Sequence, residues 1–423
     1  MNMVQIGVLG LGNVGSAVVE LLEKDRDGIR RQLGTDISVK KVLVRDLGRA
    51  RIEAAAGKIT DRADDILEDD EISLVVELMG GEQPALSYVR KALSRGKSVV
   101  TANKEIIAKY GEELAYLASE AGVSLMFEGS VGGGIPLIRP MQTCLVANDI
   151  SMVMGILNGT TNYILSRMDE SGCEFEDALR EAQELGYAEA DPSADLSGAD
   201  ARRKIAILSS LAFNAHVVPE HVEACGVEKI AMADIRYANE LGYKVKLVGY
   251  GVRRKGQVEL CVAPVLLPHG HPLAAVRDSY NAVLVEGDAV GTLMFYGRGA
   301  GGMPTASAVV SDVVEAIRAK DAVRPPFSCY NRLGVVDPRL VVSPFYVRLQ
   351  ALDSPGVLAF ISGVFGHHGV SLSMVLQKSR RNGVAEVVMV THPVQKGALQ
   401  DALAEMEGCS QVPEVSNYMR VWE

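Results

Sequence analysis

Residues Val4 to Lys24 read VQIGVLGLGNVGSAVVELLEK, and the organisation of the chain follows from this stretch. The apolar run Val4–Gly10 fits a buried strand, and AVVELLEK repeats its apolar residues at helical spacing. Between them stands Gly10-Leu11-Gly12-Asn13-Val14-Gly15, a GxGxxG pattern with a strand before it and a helix after it. Gly10 permits the tight turn, Gly12 lets backbone approach a pyrophosphate, and Gly15 lets the helix pack on the strand. The helix that opens there offers unpaired N–H groups to phosphate. In this setting the six residues predict a dinucleotide site. A glycine turn without a ligand is the plainer alternative.

The alternation continues. Strands are expected at Ser38–Val44, Ile72–Met79, Lys97–Thr101 and Val123–Glu128, with helical stretches around Pro84–Ser94 and Glu105–Ala121. That order predicts a Rossmann-type parallel sheet covered on both faces, with ligands beyond the C-terminal strand ends. The second strand ends at Arg45-Asp46, where an acid meets ribose hydroxyls and an arginine meets a 2′-phosphate. Both are present, and the reading favours NADP(H) over NAD(H); a merely exposed Arg45 is the alternative. Thr101-Ala102-Asn103-Lys104 sits at another strand end, so Lys104 reads as a residue at the cofactor's edge. In Glu128-Gly-Ser-Val131-Gly-Gly133-Gly-Ile135-Pro136, an acid beside glycines exposes carbonyls suited to a hard cation; a flexible hinge fits equally well.

Residues 185–211, LGYAEADPSADLSGADARRKIAILSSL, form an acidic, turn-rich loop and then a helix that Ser197 or Asp195 is placed to cap. Ile207, Leu208 and Leu211 make one apolar stripe, and Asp200 and Lys204 fall on it. Most Asp–Lys pairs at this spacing are weak surface pairs. This one faces inward, with Glu189 and Asp195 just upstream, which points to the floor of a site. Upstream, the expected strand Ser151–Leu157 runs into Asn158-Gly-Thr-Thr-Asn162, a polar turn suited to substrate contact or helix capping. A helix over Glu174–Leu185 and later strands at Tyr243–Tyr250, Gln257–Leu266 and Asn281–Gly287 describe an α+β domain. Gly299-Ala-Gly301-Gly302 then enters a helix through Ile317, which faces the cofactor if the chain returns to the first domain.

The chain has 423 residues, 48% hydrophobic and 23% charged, with net charge −10, values of a globular protein without a general nucleic-acid surface. No apolar run reaches membrane-spanning length, and the first residues lack the basic start of a signal peptide. Six widely spaced cysteines without a CxxC predict reduced thiols in the cytoplasm rather than a zinc site or a disulfide framework. After a Pro-broken stretch over 324–344, a βαββαβ order is expected. Its strands are Phe345–Ala351, Ser371–Gln377, Val384–Thr391 and Val415–Val421, and its helices Pro355–Gly366 and Val394–Met406. This is a ferredoxin-like unit with its own alternating core, expected to stand as an independent module.

GLGNVG, VTANK, EGSVGGGIP, ILNGTTNYIL, LGYAEADPSADLSGADARRK and GAGGMPTA occur in this order from Gly10 to Ala306, and together they resemble homoserine dehydrogenase. The segment from Leu352 to Leu372 resembles an ACT domain. The resemblance implies NAD(P)-linked interconversion of L-aspartate 4-semialdehyde and L-homoserine, on the way to threonine and methionine. It implies that Lys204 donates the proton and that Lys104 stands where nicotinamide and substrate meet. Glu189 and Asp200 would hold the substrate, with Gly186 and Asp195 nearby, and Gly301 would approach the nicotinamide. Glu128 and the carbonyls of Val131, Gly133 and Ile135 would bind a sodium ion. The implied organisation is a nucleotide-binding domain over 1–136, a catalytic and dimerisation domain over 137–323, a linker over 324–344 and a regulatory ACT domain over 345–423. A homodimer or homotetramer and a threonine effector are the implied partners. An aldehyde dehydrogenase of the aspartate-semialdehyde type would need an activated cysteine, and no cysteine lies in a recognisable nucleophile motif.

Overall fold

In the computed structural model, residues 3–48, 52–319, 329, 331, 333–381 and 383–423 are described. Of the expected linker, residues 324–328, 330 and 332 lie outside the described residues. The chain divides into two units, Met1–Val153, Arg203–His221 and Asn281–Arg332 in one, and Met154–Arg202, Val222–Tyr280 and Leu333–Glu423 in the other. The division falls inside the strand Ile150–Ile156 and inside the helix Ala199–Phe213.

The first unit is built on six strands, β1 (Met3–Leu9), β2 (Asp36–Leu43), β3 (Ile59–Thr60), β4 (Ile72–Glu77), β5 (Ser98–Thr101) and β6 (Leu125–Met126). They are parallel, in the order β3-β2-β1-β4-β5-β6, so the winding reverses between β1 and β4, where such sheets bind ligands. Ile6 and Val8 of β1, Val39 and Val42 of β2, and Leu74 and Val76 of β4 enter one core with Val18 and Val19 of the helix Asn13–Lys24. The same core takes Ala306, Val309, Val310 and Val313 from the late helix Gly302–Arg318, so the chain does return to the first sheet. On β1, a Cβ at Gly7 would lie 2.3 Å from Ile66 of the turn of helix Asp64–Leu67.

Two expectations change here. The strand foreseen over Val123–Glu128 is only Leu125–Met126, and Glu128 begins a 3-10 turn, Glu128–Ser130. The Glu128 N–H donates to Asp312 Oδ2 at 2.7 Å, which takes the backbone out of any ladder. The helix Ala199–Phe213 does not bury one stripe: Ile205, Ala206, Ile207, Leu208 and Ser209 are all at most 1% exposed. Burial of Asp200 and Lys204 therefore reflects a helix enclosed on all sides, while Leu211 of the expected stripe is only half-buried.

In the second unit, Tyr243–Arg254 and Gln257–Pro268 pair antiparallel along their full length, from Gln257↔Arg254 to Pro268↔Tyr243. Both strands run past their expected ends, the first through Arg254 rather than Tyr250 and the second through Pro268 rather than Leu266. Lys255 (φ 47°) and Gly256 (φ 79°) make the two-residue hairpin turn between them. The C-terminal segment has the expected βαββαβ order, with its strands ranked Glu414–Val421, Phe345–Leu352, Val384–Thr391 and Leu372–Arg381, all antiparallel. The helices Val357–His367 and Lys396–Met406 cover a core of Val347, Leu349, Ile361, Phe365, Leu399 and Met406. Val394 is not helical: Val394–Gln395 pairs with Val342–Ser343 before the helix begins.

This segment is not the free-standing module expected. Val265↔Arg420 and Leu266↔Val421 pair it in parallel with the Gln257–Pro268 strand. Asp234, fully buried in the helix Met232–Glu240, accepts from Arg348 Nε at 2.7 Å and Nη2 at 3.0 Å, Tyr346 OH at 3.0 Å and Asn417 Nδ2 at 3.1 Å. Replacing Arg348 by methionine leaves that carboxylate buried without its cation. The expected loss is about 3–5 kcal/mol of unfolding free energy, measured by denaturant titration of the full chain.

Candidate active site

Gly10 holds φ +101°, and a Cβ there would lie 2.8 Å from the Leu78 carbonyl; one on Gly15 would lie 2.2 Å from the Gly10 carbonyl. Around Gly12 a Cβ meets no protein atom within 4 Å. Leu11 and Gly15 are buried, Val14 is half-buried, and Gly12 and Asn13 are exposed. No side chain caps the helix that begins at Asn13. Glycines forced at two positions and open space at the third, before an uncapped helix end, fit a dinucleotide pyrophosphate. Gly301 (φ +116°) leads into the returning helix, and a Cβ on Gly302 would lie 3.2 Å from the Asn13 carbonyl, so the second glycine turn adjoins the first. Arg45 is exposed just past β2, and Asp46 Oδ1 accepts from Gly48 N at 2.8 Å.

At the C-terminal ends of β4 and β5 lies a network the sequence reading missed. Glu77 is fully buried and accepts from Thr101 Oγ1 at 2.6 Å and Met79 N at 2.8 Å. Burial outweighs these bonds and pushes its carboxyl above the usual range. Thr101 Oγ1 in turn receives Asn103 N at 2.9 Å, and Asn103 Oδ1 caps the next helix at Glu105 N and Ile106 N. Half-buried Lys104 is thereby fixed as the first residue of the helix Lys104–Glu120. An acid closing the apolar run ISLVVE was the available signal. Glu105 also pairs with Arg203 at 3.8 Å, which ties this helix to the one carrying Lys204.

The glycine loop after Glu128 is packed, not a hinge. Val131 and Ile135 are at most 2% exposed, Gly133 is buried with φ +53°, and a Cβ on it would lie 2.7 Å from Gly299. The buried Glu128 carboxylate accepts from Leu137 N at 2.6 Å, Ile138 N at 2.8 Å and Arg139 N at 2.9 Å. Among the described residues no three His, Cys, Asp or Glu side chains converge on a metal position, so a cation here would rest on carbonyl oxygens beside one carboxylate.

In the second unit Asn158 organises the acidic loop. It caps the helix Gly159–Ser171 through Thr161 N at 2.9 Å, and its Nδ2 donates to Asp195 Oδ1 at 2.7 Å and Asp200 Oδ2 at 3.0 Å. Thr160 Oγ1 completes the grip, on the Tyr187 carbonyl at 2.7 Å and Asp195 Oδ2 at 3.1 Å. Of the two roles open for the Asn158 turn, it caps a helix and also grips the loop's acids. Ser197 Oγ bonds to the Ser193 carbonyl at 2.6 Å. Gly186 turns with φ +76°, and Glu189 is exposed, its carboxylate without a partner among the described residues. Asp200 (5% exposed) and Lys204 (8%) lie one turn apart on one buried helix.

The sequence model described as homoserine dehydrogenase, NAD binding domain, matches residues 10–128, and that of homoserine dehydrogenase matches residues 136–314. The chain belongs to the homoserine dehydrogenase family. The ACT domain model matches residues 345–410. The homoserine dehydrogenase of Synechocystis sp. is 45% identical, covering 99% of each chain, and that of Bacillus subtilis 39% identical, covering 100% of this chain and 99% of its own. The crystal structure of a homoserine dehydrogenase from Thiobacillus denitrificans is similar at TM-score 0.94 and 38% identity, covering 100% of this chain and 99% of the other. A hyperthermophilic archaeal homoserine dehydrogenase solved in complex with NADPH is similar at TM-score 0.64 and 29% identity, over 76% of this chain. As a homoserine dehydrogenase, the chain is an NAD(P)-dependent oxidoreductase.

Gly12→Ala separates fold from cofactor. Its Cβ meets no protein atom, so stability without cofactor should stay within about 0.5 kcal/mol of wild type. Cofactor affinity, read by fluorescence titration, should fall at least about tenfold, equivalent to 1.4 kcal/mol. Unchanged affinity would detach the pyrophosphate from this turn.

Proposed function

We propose that this homoserine dehydrogenase works as an NADPH-dependent reductase, converting L-aspartate 4-semialdehyde to L-homoserine in the cytoplasm for threonine and methionine synthesis. The observation that carries the reading is the buried Asp200 and Lys204 on one helix, with Asp200 anchored by Asn158. When bound, the nicotinamide supplies a hydride to the aldehyde carbon. Lys204 donates the proton to the carbonyl oxygen as it becomes a hydroxyl, and its ammonium stabilises the charge that develops there. Lys104 assists where nicotinamide and substrate meet. Glu189, whose carboxylate has no partner among the described residues, receives the substrate's α-ammonium group. Asp200, Asp195 and the turn at Gly186 complete the substrate's surroundings.

The cofactor residues are Gly10, Leu11, Gly12, Asn13, Val14, Gly15, Lys104 and Gly301, with Arg45 meeting the 2′-phosphate. The packed loop of Glu128, Val131, Gly133 and Ile135 holds a sodium ion; its donors are those of a hard monovalent cation, and its glycines are pinned by neighbours rather than free. The functional divisions are nucleotide binding over 1–136, catalysis and dimerisation over 137–323, a linker over 324–344 and regulation by threonine through 345–423, in a homodimer or homotetramer. The thioester-forming alternative finds no support in the thiols. Burial pushes the Cys261 thiol up to about 12, the opposite of activation.

Lys204→Ala should lower kcat by about a hundredfold to ten-thousandfold while leaving NADPH affinity at the wild-type value, measured by steady-state assay and direct titration. Retention of more than half of wild-type kcat would remove Lys204 from the proton transfer. Arg45→Ala should raise KM for NADPH by about tenfold or more and leave that for NADH unchanged, because only the former carries the phosphate. Equal changes for both cofactors would make Arg45 a solvent-facing residue.

A further inference from the structure

Glu77 closes β4 with an acid where the three residues before it, Leu74, Val75 and Val76, are apolar and buried. It is itself 0% exposed. Both of its oxygens accept, Oε1 from Met79 N at 2.8 Å and Oε2 from Thr101 Oγ1 at 2.6 Å. No lysine, arginine or histidine pairs with it among the described residues. Two neutral donors offset only part of the cost of burying a charge, and burial raises the carboxyl above its usual range.

The acid stands at the edge of the cofactor crevice. Leu78, the next residue, donates from its N–H to the Leu9 carbonyl at 2.8 Å, and its own carbonyl would lie 2.8 Å from a Cβ on Gly10. Gly80 (φ +70°) and Gly81 (φ +71°) then turn the chain, and the Gly81 carbonyl accepts from Asn103 Nδ2 at 2.7 Å. One short loop thus joins Glu77 to the first glycine turn and to the cap of the Lys104 helix. In a sheet wound in this order a dinucleotide crosses the reversal between β1 and β4, with its adenosine ribose toward the end of β2. Its nicotinamide half belongs on the side of β4 and β5, where Glu77 and Thr101 end their strands.

The oxidised nicotinamide ring carries a positive charge and the reduced ring carries none. A fixed negative charge attracts the first and not the second, and burial strengthens the attraction because little water screens it. Glu77 lies too deep to touch the ring, so its charge acts across the loop. We infer that Glu77 is a specificity-determining residue for the redox state of the cofactor, its buried carboxylate favouring the oxidised nicotinamide over the reduced one. By linkage, that preference makes the bound reduced cofactor a stronger hydride donor. A mere fastening for the loop is the plainer role, and it would weaken both forms alike.

The test titrates the full-length protein with NADP+ and NADPH, and with NAD+ and NADH, by calorimetry. Wild type is set against Glu77→Gln, which keeps the size and hydrogen-bonding capacity of the side chain without its charge, and Glu77→Asp, which keeps the charge on a shorter arm. Thermal melting checks the fold; glutamine relieves a buried charge rather than creating one. Glu77→Gln should weaken the oxidised form at least about tenfold more than the reduced form. Glu77→Asp should leave the ratio of the two affinities within about threefold of wild type. A smaller change of ratio in Glu77→Gln, or a ratio in Glu77→Asp shifted as far as in Glu77→Gln, would overturn the proposal. The comparison reads oxidised against reduced within each pair, so it holds whichever of NADP(H) and NAD(H) the enzyme prefers. Its failure leaves the roles proposed for Lys104, Lys204 and Arg45 standing.

Discussion

The side-chain amide of Asn158 is the fastening on which the acidic loop depends. An amide has two N–H donors and two acceptor lone pairs, and all four are used here. The donors go to Asp195 and Asp200, and the acceptors take Thr161 N–H and Thr161 Oγ1. Two carboxylates are thus brought to one neutral group, which spares the chain an unpaired buried charge. The position of Lys204 follows, because it stands one turn beyond Asp200 on a helix enclosed on all sides.

A comparable economy of side chains operates at the first sheet. Glu77, Thr101 and Asn103 form a relay of hydrogen bonds across the ends of β4 and β5 that ends as the cap of the Lys104 helix. The helix Gly302–Arg318 then returns from far along the sequence to complete the core of this sheet, and it sets Gly301 beside the first glycine turn. Arg203 and Glu105 join the two lysine-bearing helices one residue away from each lysine. Both lysines sit on helices, and each is placed by its neighbours' bonds as well as by its helix.

Much of this was legible. The glycine fingerprint, the strand–helix alternation and the βαββαβ order each rest on local patterns of a few residues, and local patterns are what a linear reading detects. Errors arose where a residue answers to a distant partner. Glu128 leaves its strand because Asp312 takes its N–H, and the loop after it is packed because Gly299 lies against Gly133. The C-terminal segment is not free-standing because Arg348 is bound to Asp234, more than a hundred positions earlier.

By itself the sequence determined the element types, the glycine turn after the first strand and the family, since glycine geometry and hydrophobic period act over a few residues. The enclosure of the Lys204 helix, the grip of Asn158 on two acids and the burial of Glu77, Asp234 and Asp312 were decided only in the tertiary structure. A buried charge is stable only where partners converge on it, and those partners come from segments that folding alone brings together.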